Sequence, residues 1–348
     1  MIRKFLAPAV GVLVLGLAAC GGGAAASKTD STETSTEAST QTSADTVGSI
    51  TLYTSEPQAK IDELVAEFNV AQPNVKVEVF RAGTGDLTTR IEAELAAGEV
   101  QADVLLAADA PTFDKYVAQD LFAPLKVDTS NVLAEVIDPK GFYVGTRVIP
   151  TVIAYNTDAV ETPPQTWQEL TDSSYKGKLV MPNPDVSGAA AFNAAVWMLN
   201  PDMGEPWLNA LAANQPVIAD SNGPVSQAVA TGTQPIGIVV DYLVRDLAAQ
   251  GSPIAVSYPS EGVPYVFQPV GVFSSSKNQD AAMIFADWLI STEGQDLAVK
   301  QNYLPVRTDV TSPAGAPTMD ELKLMAYDLE KVSASKKDAV TLFNSLFQ

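Results

Sequence analysis

The sequence predicts a two-lobed α/β protein, each lobe a mainly parallel sheet flanked by helices. Three observations predict it. Strand-like and helix-like segments alternate from Ile50 to Gln119, and they alternate again from Leu179 to Gln250. Two extended stretches, interrupted by Pro150 and Pro269, lie where the chain would leave the first unit and return to it. Alternating strand and helix implies parallel strands joined by right-handed crossovers.

In the first unit, Ile50-Thr51-Leu52-Tyr53 reads as a strand. Pro57 to Val70 follows as a helix, because Ile61, Leu64, Val65 and Phe68 recur at helical spacing. Val75 to Phe80 alternates like a strand, and Leu87 to Ala97 is a helix with Gly98 as its stop. Ala102 to Leu106 and Phe113 to Gln119 complete the unit as strand and helix. After the extended stretch Phe142–Asn156, the second unit has strands at Leu179–Met181, Val217–Ala219 and Ile236–Val240. Its helices are Ala189–Leu199, Val225–Ala230 and Tyr242–Gln250. Tyr265–Phe273 is the second extended stretch; helices are then expected at 281–291, 294–301, 319–332 and 336–347. The crossings are placed near 145–152 and 263–272.

The N-terminus reads as an address. Arg3 and Lys4 precede an apolar run, Phe5 to Ala19, shorter than the roughly 20 residues a membrane span needs. It ends in Leu17-Ala18-Ala19-Cys20, which looks like a bacterial lipobox whose Cys would carry lipid. Acyl chains, at about 0.8 kcal/mol per buried CH₂, would hold the protein on a membrane. Residues 21–46 are Gly, Ala, Ser, Thr and acidic, a composition that cannot bury a core and suits a disordered tether. The expected organisation is a signal at 1–19, a lipidated tether at 20–46, a first lobe at 47–148 and a second at 149–265. The chain returns to the first lobe at 266–308, and C-terminal helices at 309–348 pack on the lobes.

Composition narrows function. Asp plus Glu number 41 against 21 Lys plus Arg, a formal charge of −20, which opposes nucleic-acid binding. There is no His, so His-based acid–base catalysis, Ser-His-Asp triads and His metal sites are excluded. With one Cys, no intrachain disulfide is possible.

In open parallel sheets, ligands bind beyond the carboxyl ends of the strands. The segments there are the candidates, each weighed against an ordinary cap or turn. Thr54 and Ser55 precede a helix that Pro57 can start. Arg81-Ala82-Gly83-Thr84-Gly85-Asp86 offers Thr84 and Gly85, where the backbone can approach a ligand; Arg81 could enter the cleft or lie on the surface. Ser187, Gly188 and Ala189 open an Ala-rich helix whose free N–H groups suit a carboxylate, phosphate or phosphonate. Asn222 sits in another strand-to-helix loop. Asp241 and Tyr242 follow the strand Ile236–Val240, where an acid suits an amine or hydroxyls, and Glu261 is a second possible acceptor.

Taken in order, these segments resemble type 2 periplasmic binding proteins of the family-1 extracellular solute-binding kind. The branch they are similar to holds ferric-iron, 2-aminoethylphosphonate and hexose-phosphate receptors. The resemblance runs from about Ser49 to Val310 and is carried by Ile50–Gln58, Ala102–Leu125, Val148–Thr157, Asn183–Ala190, Pro235–Asp246, Val263–Phe273 and Asn302–Arg307. It implies a periplasmic-binding-protein-like type II fold that closes on a ligand about a hinge and delivers it to an ABC permease, without chemistry and without a cofactor. The implied protein is a monomer on the outer face of the membrane, held through Cys20. Iron receptors of this kind use two adjacent Tyr after the strand that here ends in Val240; this chain has Asp241-Tyr242, leaving Tyr242 and Glu56 as the iron candidates. The pattern looks more like the organophosphate receptors.

Overall fold

The computed structural model describes residues 47–348; the expectations for the signal, Cys20 and the tether lie outside the described residues. The first half is built from β1 (Gly48–Thr54), α1 (Gln58–Ala71), β2 (Val75–Arg81), α2 (Thr84–Ala97), β3 (Val104–Leu106) and α3 (Ala110–Val117). α1 buries Ile61, Leu64 and Phe68, and α2 buries Thr84, Leu87 and Ile91, one face each against the sheet. β1 pairs in parallel with β2 on one side and β3 on the other.

The 14-residue β4 (Tyr143–Asn156) then carries the chain across. The second half contains β5 (Leu179–Pro182), α4 (Gly188–Leu199), α5 (Gly204–Ala213), β6 (Val217–Ala219), α6 (Asn222–Ala230), β7 (Ile236–Val240), α7 (Asp241–Ala249) and β8 (Ile254–Ser257). β9 (Tyr265–Val272) brings the chain back, followed by α8 (Gln279–Ile290), α9 (Thr292–Lys300) and α10 (Leu329–Phe347). The strand order is β2-β1-β3-β9-β4-β7-β5-β6, with β8 also on β4. β5 is parallel to β6 and β7, while β4 and β9 run antiparallel to their neighbours. Each half therefore keeps a parallel core, and the two crossing strands join them.

Two hydrophobic cores correspond to the halves. Along β4 the side chains alternate between them over the crossing: Val148 and Val152 pack in the first, Ile149 and Ile153 in the second. The residues that cross therefore belong to a continuous strand, not to a loose linker. α4 is buried on nearly every side from Gly188 to Trp197, which its small Ala side chains permit between the sheet and α10.

The C-terminal region departs from the sequence expectation. Residues 319–332 do not form a helix of their own. The spacing of Met319, Leu322 and Met325 resembles a helical face, but Leu322 packs in the first core and Met325 in the second. Those apolar residues serve two different cores, so the chain makes a single turn at 319–321 and then runs extended to α10: Val263 donates its N–H to the Lys323 carbonyl and Met325 donates to that of Val263. It forms a third crossing beside the other two. α10 then starts at Asp328, whose carboxylate caps the Lys331 N–H, and runs as one helix into the second core through Val332, Ala339 and Phe343. α5 and β8 were not expected from the sequence.

Candidate functional site

Between the halves lies a cleft of about 350 Å³. Ile149 of β4 and Gln268 of β9 line its hinge side. Its walls are the starts of four helices: Ser55-Glu56-Pro57 at α1, Gly83 and Thr84 at α2, Ser187-Gly188-Ala189 at α4, and Ser221-Asn222-Gly223 at α6. A larger groove of about 870 Å³ lies beyond the contact of Thr84 with Gly188, under α10. The smaller cleft is the candidate site, because the helix starts and both crossing strands meet there.

α4 shows how the chain prepares its wall. The Ser187 hydroxyl accepts from the Ala190 N–H at 3.2 Å, and the Ser187 carbonyl accepts from Ala191. The first four N–H groups of a helix have no partner in the preceding turn; these two bonds leave the amides of Gly188 and Ala189 for the cleft. Asn222 fixes the arrangement: its Nδ2 donates to Ser187 Oγ at 2.8 Å, and its Oδ1 accepts from the Val240 N–H at 3.3 Å. One side chain thus ties the starts of α4 and α6 to the end of β7.

The floor is a buried charge cluster. Glu56 is 1% exposed and receives a hydrogen bond from Arg147 Nη1 at 3.1 Å and from the Tyr303 hydroxyl at 2.5 Å. The Arg147 guanidinium lies over the Tyr303 ring, 4.6 Å from its centre, and the Tyr242 ring packs on Tyr303 at 4.2 Å. Burial, and then the negative field of Glu56, pushes both phenols above their ordinary pKa, so they are neutral near pH 7. Neither Arg147 nor Tyr303 was among the sequence candidates. Tyr303 lay within the Asn302–Arg307 segment that carried the resemblance; Arg147 had the signal of a lone Arg in an apolar strand.

Of the sequence candidates, Ser55, Thr84, Ser187, Gly188, Ala189, Asn222 and Tyr242 line the cleft, as does Glu56. The others are placed elsewhere. Thr54 is fully buried and its hydroxyl accepts from the Glu56 N–H at 3.1 Å. Gly85 borders the larger groove and faces the Asp185 carbonyl across the halves. Asp241 turns away from the cleft to pair with Arg245, one helical turn on, at 2.5 Å. Burial raises its pKa, opposed by that Arg. Glu261 is exposed and caps the Gln168 N–H at 3.2 Å. Among the described residues no group of three or more Cys, Asp or Glu is placed to hold a metal ion, and no helix is long and apolar enough to cross a membrane.

The halves are held together on two flanks. Lys60 of α1 pairs with Asp246 of α7 at 2.8 Å. On the other flank, Lys336 of α10 pairs with Asp109 at the start of α3.

Comparison with known proteins gives consistent matches. The profile of the family described as bacterial extracellular solute-binding protein matches residues 63–325. Iron uptake protein A1 of Synechocystis is 24% identical over 321 residues, covering 86% of this chain and 88% of that one. A Salmonella typhimurium periplasmic protein named for 2-aminoethylphosphonate binding is 25% identical over 277 residues, covering 75% and 77%. Among solved structures, the periplasmic binding protein AfuA of Actinobacillus pleuropneumoniae, with fructose-6-phosphate bound, superposes with a TM-score of 0.78 at 24% identity, over 86% of this chain and 98% of that one.

Proposed function

The chain belongs to the bacterial extracellular solute-binding proteins, and from that premise we propose that it captures a small phosphorylated or phosphonate solute for an ABC importer. It is a substrate-binding protein of such an importer, and its relatives are transport proteins rather than enzymes. The observation that carries the ligand class is the convergence of four helix starts on one cleft. Each start contributes about 0.3–1 kcal/mol toward a negative charge, more when partly buried, and unpaired amides that an oxyanion can accept from. Together these are a binding surface for a tetrahedral anion, independent of the chain's overall charge. Closure of the halves about β4 and β9 would bury the solute, and the open state would release it to the permease. The lipobox-like Leu17–Cys20 supports anchoring of this receptor to the outer face of the membrane.

A ferric-iron receptor is the second reading. The observation favouring it is the placement of Tyr242 beside Tyr303 and Glu56. Against it, Glu56 is already engaged by Arg147 and Tyr303, and Asp241 beside Tyr242 is paired with Arg245.

Titration calorimetry with inorganic phosphate separates the readings. Phosphate binding that Ser187→Glu abolishes supports the first, because the new charge occupies the start of α4. Unchanged affinity in that variant refutes the placement. A visible phenolate-to-iron charge-transfer band on adding Fe³⁺ would favour the second.

A further inference from the structure

The larger groove under α10 lies between α2 and α3 of the first half and α4 and α10 of the second, with a volume of about 870 Å³. Its charged lining is Asp109, Asp114 and Asp185 against Lys115, Lys336 and Lys337. Two of the lysines are spent, Lys115 on Glu92 and Lys336 on Asp109. Among the described residues neither Asp114 nor Asp185 pairs with a cation, and only Lys337 of these lysines lacks an acid. The Tyr143 hydroxyl donates to Asp114 at 2.6 Å and Asn344 Nδ2 to Asp185 at 3.0 Å, each to a single carboxylate oxygen.

The neutral lining is turned the same way. Thr88 and Thr89 donate their hydroxyl protons to carbonyls one turn back in α2, Thr341 does so in α10, and Thr112 donates to Asp109. A hydroxyl has one proton to give, so these four keep only lone pairs for an occupant. Asp109 is the decisive group. It is 1% exposed, and its Oδ2 accepts from Lys336 and Thr112, while its Oδ1 has no partner among the described residues. A buried carboxylate oxygen without a donor is costly to keep. Burial raises the Asp114 pKa, and the fields of Asp138 and Asp109 raise it further against the Tyr143 bond, so the acids feel one another. Pro111, Pro184, Ala191 and Val340 add apolar surface beside these acceptors.

We propose that this groove is a second binding site, separate from the cleft, for an aliphatic ammonium ion. The ammonium donates to Asp109 Oδ1 and the acceptors around it, and the carbon chain lies on the apolar surface. An anion would face three carboxylates and find Lys337 alone; a neutral alcohol would leave the negative charge unanswered. The walls come from both halves, so the site is complete only when they are together. Its occupant therefore favours the closed state and is favoured by it.

Calorimetry on the full chain at constant ionic strength tests this with n-butylammonium and, as a neutral probe of the same length, 1-butanol. In phosphate-free buffer the wild type is expected to bind butylammonium and not butanol. Asp109→Asn should weaken butylammonium about tenfold or more, the loss of a charge-assisted bond. Asp185→Asn, at an exposed position that does not put folding at risk, should weaken it about two- to fivefold with the melting temperature unchanged. Saturating phosphate should tighten butylammonium at least about fivefold, and butylammonium should tighten phosphate by the same factor. Equal binding of the two probes, or butylammonium binding that both variants leave unchanged, would overturn the site. Phosphate binding without the mutual gain would overturn its link to closure. Butylammonium binding with no phosphate binding would uphold this site and remove the oxyanion reading of the cleft.

Discussion

Gly85 sits in the first turn of α2, and a Cβ added there would stand 2.2 Å from the carbonyl oxygen of Asp185 and 3.3 Å from its carbon. Non-bonded heavy atoms rest at about 3.5 Å, so the contact is short by more than 1 Å. The obstacle is backbone, which cannot rotate aside. Overpacking of this kind costs about 1–3 kcal/mol. Asp185 belongs to the other half of the molecule, so the cost falls only when the halves are together. Within its own helix, Ala is favoured over Gly by up to about 1 kcal/mol. Gly85→Ala should therefore leave the ligand-free protein as stable as before, or slightly more so. It should weaken phosphate binding by roughly 5- to 150-fold, since the apparent affinity falls with the population of the competent state. Gly85 does not line the small cleft, so direct obstruction of the ligand does not enter. Two neighbouring glycines are also closely approached. At Gly188 the added Cβ would meet the Ala108 carbonyl at 2.6 Å, and at Gly83 it would meet a Val186 methyl at 3.0 Å. Both of these line the cleft itself, so Gly85→Ala is the variant that separates closure from obstruction of the ligand. Calorimetry gives the affinities and thermal melting of the ligand-free proteins gives the stabilities. Unchanged affinity for Gly85→Ala, or a fall in melting temperature matching its loss of affinity, would refute the closure argument.

Arg147→Met should destabilise the protein by about 3–5 kcal/mol in urea unfolding, because Glu56 would stay buried without its counter-charge. Adding Glu56→Gln should recover a large part of the loss, and a single-variant cost under about 1 kcal/mol would contradict the pairing. Lys336→Met leaves Asp109, 1% exposed, with the Thr112 hydroxyl as its remaining partner for Oδ2, while its Oδ1 has none. Charge-assisted bonds contribute about 1.5–3 kcal/mol. If the pair forms only when the halves meet, phosphate affinity should fall about tenfold or more with the ligand-free melting temperature unchanged. A lower melting temperature with unchanged affinity would make the pair a support of the resting fold instead.

Why some of this was legible in the sequence and some was not follows from the range of each interaction. The strand-to-helix loops announce themselves locally: Ser187 caps its own helix three residues on, and Gly188 and Ala189 are exposed to the cleft by that same turn. Their positions at the carboxyl ends of strands needed no tertiary information beyond strand order. Asp241 was misplaced by the same local logic. It does end a strand, but Arg245 stands one turn further along α7, and that i, i+4 partner was visible in the sequence as a competing claim on the carboxylate. The cleft floor had no such local signature. Glu56 meets Arg147 across 91 residues and Tyr303 across 247; Glu56 stood out only as an iron candidate, and Arg147 and Tyr303 each read alone as an ordinary strand or loop member. The failed helix at 319–332 has a related cause: apolar spacing reports that side chains are buried, and is silent on whether they enter one core or two. Gly85 shows the limit from the other side. A Gly early in a helix reads as permission for a ligand's approach, whereas here the approaching group is the protein's own backbone. In a molecule built to bring two halves together, the tightest approach to a backbone can be another stretch of backbone, so a glycine beside a cleft needs its opposite wall before its purpose can be assigned.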